Sequence, residues 1–210
     1  MADLSSLYPY IMPELPGCPD PIVDRVIVDS VREFCRRTDL LRNTENLSIL
    51  VGEDSYSLSP PVGNEVLDIK RVYLDGIDIP LYREDSGLVK INSSSEGESI
   101  IYYTWKPQDT IVTHPIPSTL LDNTLDVDYS YQPLRTATTI PDEVFDRWAE
   151  CLAAKVKSIL MRQAGKSWSN PEFVGINNAE WWRLLGDARS ESFRMYGNPI
   201  SAARYSLDQG

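Results

Sequence analysis

The hydrophobic period of this chain changes twice, and that change limits the folds open to it. From Asp20 to about Leu41 the apolar residues Val23, Val26, Ile27, Val31 and Phe34, with Ser30, recur at spacings of three and four. That is one stripe of an α-helix. Asp20 and Pro21 suit its first turn, and Arg36 and Arg37 suit the negative end of its dipole. From about Leu47 to Pro133 the period falls to two. Leu47, Ile49 and Val51 alternate with polar residues, as do Ile77, Ile79 and Leu81, and Leu125, Val127, Tyr129 and Tyr131. Alternation of this kind predicts half-buried strands. Asp75-Gly76 between two such runs marks a hairpin, since both residue types tolerate positive φ. Helical spacing returns at Pro141-Asp142-Glu143 and runs through Val144, Trp148, Leu152, Val156, Ile159 and Leu160 to a cap at Gly165. A last helix is expected from about Asn178 to Tyr196, with Trp181, Leu185, Ala188, Ser192 and either Phe193 or Met195 inward.

Helices do not alternate with strands, so a parallel α/β sheet is not expected. The expected fold is α+β. A bundle of about three long helices carries an antiparallel β-sandwich or barrel-like insertion between its first and second members, and an extended C-terminal tail follows. The expected divisions are 1–42 (N-terminal segment and first helix), 43–140 (β insertion), 141–197 (two further helices) and 198–210 (tail).

Charge narrows the partners. The formal net charge is −11, and residues 43–140 hold 15 acids against 6 bases. A nucleic-acid surface needs the opposite sign. A channel wall that DNA passes without sticking is compatible, because like charges repel. No apolar run approaches the ~20 residues that span a bilayer, and no signal-peptide pattern opens the chain, so synthesis in a cytoplasm is expected. Cys18, Cys35 and Cys151 are too few and too scattered for a disulfide framework or a zinc site, and read as buried hydrophobes.

The residues that could carry chemistry lack the company it requires. Gly165-Lys166-Ser167 resembles the end of a phosphate loop, but Leu160 stands where the leading glycine belongs. His114, the single histidine, has no nucleophile in a strand-to-helix turn beside it. Asp126 and Asp128 share a strand face without an Asp-rich loop around them. No catalytic residue, metal or cofactor is therefore expected. Trp148, Trp181 and Trp182 are the candidate subunit-interface residues, since aromatic side chains bury much area for little entropy.

The segment from Leu7 to Pro21 (LYPYIMPELPGCPDP), the helix ending Arg32-Glu33-Phe34-Cys35-Arg36-Arg37-Thr38, and Ile140-Pro141-Asp142-Glu143 leading into a helix with Trp148 together resemble the tailed-bacteriophage head-to-tail adaptor, or connector, proteins. The resemblance covers nearly the whole chain. It implies a structural virion protein, made in the bacterial host, that forms a ring of usually twelve copies beneath the portal at the head–tail junction. DNA would pass through the ring unbound. The β part would face a downstream tail or nozzle protein, or tail fibres. The C-terminal segment would clasp the portal, with Ala202, Ala203, Arg204, Tyr205 and Leu207 as contact residues. Two other readings stay open: a β-sandwich module binding glycans or fibres, and a cell-wall hydrolase using Asp126 and Asp128.

Overall fold

The computed structural model describes residues 1–81, 96–97, 100, 102–106, 109–117 and 124–197. In chain order the early elements are β1 (Ala2–Asp3), α1 (Tyr8–Ile11), α2 (Asp20–Thr38), β2 (Arg42–Ser48), β3 (Ser55–Ser57), β4 (Asn64–Leu74) and β5 (Ile77–Asp78). There follow β6 (Glu96–Gly97), β7 (Tyr102–Lys106), β8 (Thr110–His114), β9 (Ile116–Pro117), β10 (Thr124–Pro133), β11 (Thr139–Ile140), α3 (Asp142–Met161) and α4 (Pro171–Tyr196). They form two compact units, one of Met1–Leu40 with Arg135–Gly210 and one of Leu41–Leu134.

In the helical unit, α2 buries Val23, Ile27, Val31, Phe34 and Cys35. It stops where Asp39 turns left-handed at φ 50° and donates its N–H to the Cys35 carbonyl. From α3, Val144, Trp148, Leu152, Val156 and Leu160 point inward, and from α4 Trp181, Leu185 and Ala188. Phe34 binds the three helices together, its ring lying 6.0 Å from Trp148 and 6.3 Å from Trp181. Leu4, Leu7, Ile11 and Leu15 of the N-terminal segment are buried too. At the rim, Lys157 meets Glu14 at 2.7 Å and Lys155 meets Glu33 at 2.9 Å.

In the β unit, a four-stranded antiparallel sheet runs in the order β2-β10-β4-β5, and a three-stranded one in the order β3-β8-β7. Leu125, Val127 and Tyr129 of the central strand β10 are fully buried. The β4–β5 hairpin turns on Asp75 (φ 49°) and Gly76 (φ 78°), the mirror-image turn that matches strand twist. A Cβ at Gly76 would meet nothing within 4 Å, so a side chain there costs backbone energy alone. Gly76→Val is expected to destabilise the β unit by about 1–2 kcal/mol, the penalty of left-handed backbone for an L-residue. Urea denaturation of the two proteins measures the difference.

The expected three-helix bundle with a sandwich or barrel-like insertion does not form, although the chain is α+β. The helical unit contains four α-helices among the described residues, and only α2 and α4 run long without a break. Helix α1 has 4 residues, and α3 departs from helical geometry at Trp148 (φ −126°, ψ 17°). The strands make separate sheets rather than one closed barrel, and β6 pairs with β9 in parallel. Strands β5 and β9 are 2 residues long and β3 is 3, too short to carry pairing around a barrel.

Candidate functional site

Helix α4 carries two faces. Trp181, Leu185, Ala188 and Ser192 turn into the helical unit. About a third of a turn away, Trp182, Gly186, Arg189, Phe193 and Tyr196 recur at spacings of four and three, which aligns them along the helix. Trp182 is 47 % exposed, Phe193 69 % and Tyr196 39 %. The Arg37 guanidinium lies over the Trp182 ring, 4.9 Å from its centroid, so the ring is held flat by a cation while its outer surface stays open. Nothing approaches within 4 Å of where a Gly186 Cβ would sit, leaving a notch between the aromatic side chains.

The structure thus separates the three tryptophans expected at a subunit interface. Trp148 and Trp181 are core residues of their own unit and have no surface to offer a neighbouring copy, whereas Trp182 is on the outside. The indole N–H groups of Trp148 and Trp181 are buried without an acceptor, so neither ring is held by a side-chain hydrogen bond. Ala202, Ala203, Arg204, Tyr205 and Leu207, the expected portal-contact residues, lie outside the described residues.

A groove of about 450 Å³ runs beside α2, lined by Leu4, Asp24, Arg25, Val28, Arg135 and Thr138 among others. Asp24 accepts the Tyr8 hydroxyl at 2.8 Å. Burial, then the bond to Asp24, pushes the Tyr8 phenol far above its ordinary range and keeps it protonated. Asp29 faces Arg135 at 3.6 Å.

Elsewhere the chemically capable residues are occupied structurally. His114 is buried against Tyr102, ring centroids 4.9 Å apart, with its Nε2 3.3 Å from the Thr104 hydroxyl. Asp128 accepts the Thr44 hydroxyl at 2.6 Å, and Asp126 lies on the same outer face of the four-stranded sheet. Gly165, at φ 75°, follows α3, Lys166 lies over the Trp168 ring at 5.8 Å, and the Ser167 hydroxyl donates to the Pro16 carbonyl at 3.1 Å. All three cysteines are buried thiols. Among the described residues, no group of three or more His, Cys, Asp or Glu side chains could hold a metal ion.

The outward face of α4 was half visible in sequence, because adjacent helical residues diverge by about 100° and Trp181 and Trp182 cannot both turn inward. The Arg37 cover was not visible, since it comes from another helix. In comparisons with known proteins, the chain matches no family model and no curated protein.

Proposed function

We propose that this chain is a structural virion adaptor. Copies would form a ring, dodecameric by the family resemblance, that joins a phage portal to the tail at the head–tail junction and surrounds the exiting DNA. The observation that supports it best is the second, aromatic face of α4. Trp182, Phe193 and Tyr196 are exposed on a helix whose other face already fills its own core. A folded subunit with a spare aromatic helix face is equipped to bury it against another protein surface. The acidity of the β unit, 15 acids against 6 bases over residues 41–134, fits a body that DNA passes without adhering. Within this reading residues 198–210 clasp the portal through Ala202, Ala203, Arg204, Tyr205 and Leu207, Arg204 pairing with a portal acid.

The test is electron microscopy of the protein mixed with its cognate portal, where an added ring of density below the portal is expected. Deleting residues 198–210 is expected to leave far-ultraviolet circular dichroism and thermal unfolding unchanged while abolishing portal capture in a pull-down. Unimpaired capture by the truncated protein refutes the clasp, and a portal that stays bare with the full chain refutes the adaptor.

A further inference from the structure

Strand β2 is an edge of the four-stranded sheet, and its pairing with β10 runs unbroken from Arg42↔Ser130 to Ser48↔Thr124. The opposite edge, β5, is only 2 residues long. Which backbone groups of β2 face outward follows from one hydrogen bond. The Tyr131 N–H donates to the Leu41 carbonyl at 3.1 Å, one step beyond the Ser130–Arg42 pair. Bonded and non-bonded pairs alternate along an antiparallel ladder. Asn43, Glu45 and Leu47 therefore aim their N–H and C=O groups at β10, and Thr44, Asn46 and Ser48 aim theirs away from the sheet. The outward groups of these three residues have no partner among the described residues.

Exposed sheet edges are templates for another strand, and proteins guard them with proline, bulges or inward-pointing charge. Strand β2 (RNTENLS) has no proline and no bulge, and its one inner-face charge, Glu45, is engaged by the Ser59 N–H at 2.8 Å. Leu47 is incompletely covered on this edge, although its partner Leu125 is fully buried. The neighbouring charge is one-sided. Asp126 and Asp128 stand opposite Asn46 and Thr44 on the outer face, and one Asp126 carboxylate oxygen is buried without a hydrogen-bond donor. The whole unit carries 6 bases against 15 acids.

We infer that the outer edge of β2 is a docking edge for an extended, positively charged segment of a partner protein, which joins the sheet as an added strand. Main-chain bonds to Thr44, Asn46 and Ser48 supply the pairing. Alternate lysine or arginine side chains lie over the outer face toward Asp126 and Asp128, and the intervening apolar ones cover Leu47. This docking edge does not depend on the adaptor reading.

The probe is the peptide acetyl-Lys-Val-Lys-Val-Lys-Val-Lys-amide added to the isotope-labelled full chain. Saturable binding is expected. Amide shifts and slowed hydrogen exchange should appear at Thr44, Asn46 and Ser48, while Asn43, Glu45 and Leu47, already paired, hold still. Asn46→Pro removes one outward N–H and no ladder bond, and should weaken binding by about tenfold, the worth of one hydrogen bond. A peptide N-methylated at alternate residues should not bind the unaltered chain, which decides the matter if Asn46→Pro fails to fold. Equal binding by the N-methylated peptide, equal binding by a folded Asn46→Pro protein, shifts without the period of two, or no binding overturns the inference. So does protection of Thr44, Asn46 and Ser48 without peptide in a concentration-dependent dimer, which would give the edge to a second copy.

Discussion

Trp181→Ala is expected to cost the helical unit about 3–5 kcal/mol, the range for deleting a large buried aromatic, whereas Trp182→Ala should cost about 1 kcal/mol or less. The two residues are neighbours in sequence and alike in chemistry, so only their direction differs. Trp181 has no exposed surface and packs edge-on against Phe34 at 6.3 Å, while the Lys155 ammonium lies 5.2 Å from its ring. Its removal leaves a cavity at the meeting point of α2, α3 and α4. Trp182 is 47 % exposed, so its truncation opens no enclosed cavity and removes chiefly the Arg37 contact at 4.9 Å, an exposed cation–π pair worth about 0.5–1 kcal/mol. A loss of 3–5 kcal/mol is a large part of the ~5–15 kcal/mol that ordinarily stabilises a domain. Trp181→Phe should recover much of it, because a ring still meets Phe34 and the unsatisfied indole N–H is gone. Urea denaturation followed by circular dichroism measures all three proteins without relying on the deleted fluorophore. Equal losses for Trp181→Ala and Trp182→Ala would mean that the two faces of α4 are assigned wrongly.

Sequence reading located these elements where a local physical signal existed. The start of α2 was written in Asp20-Pro21, but its end was three residues earlier than Leu41, because Asp39 adopts a left-handed turn that no periodicity announces. Asp75-Gly76 announced its hairpin because few other pairs accept that backbone. The first turns of α4 were missed. The helix begins at Pro171, but Phe173 and Ile176 are 44 % and 64 % exposed, so its early apolar residues add nothing to the inward stripe. Ser192 is inward as expected, donating its hydroxyl to the Asp39 carbonyl at 3.1 Å, but neither Phe193 nor Met195 joins it, at 69 % and 57 % exposed. The break at Trp148 has neither proline nor glycine to mark it. Sheet order was beyond local reading, because pairing Arg42 with Ser130 joins residues far apart in sequence. The same holds for the candidate sites. The Asp126–Asp128 face followed from alternation, but the open edge of β2 exists only because no described strand pairs beyond it.

Alkylation of the folded protein by iodoacetamide at pH 8 should be slower at Cys35 and Cys151 by at least about a thousandfold than at an unfolded cysteine. Burial pushes both thiols up to about 12 from an ordinary 9.0. The reactive species is the thiolate, and three pH units remove about three factors of ten from its population. Lack of access slows the reaction further, since neither side chain has meaningful exposed surface. Burial, and then the nearby Asp20 charge, also raise Cys18, which is 4 % exposed and should be protected as well. Peptide mass spectrometry of protein labelled with and without urea gives each rate. The same shifts fix how stability responds to alkali. A raised folded-state value means that the folded thiol holds its proton while the unfolded one releases it. Their contribution is therefore intact below pH 9 and is lost as pH rises from 9 through 12. Tyr8, Tyr56 and Tyr129, all raised mainly by burial, add to the loss at high pH. A catalytic thiol requires the reverse arrangement, a depressed value in a cationic, accessible setting. Rapid labelling of Cys35 or Cys151 in the folded chain would contradict the burial described for them and restore thiol chemistry as a function to be sought.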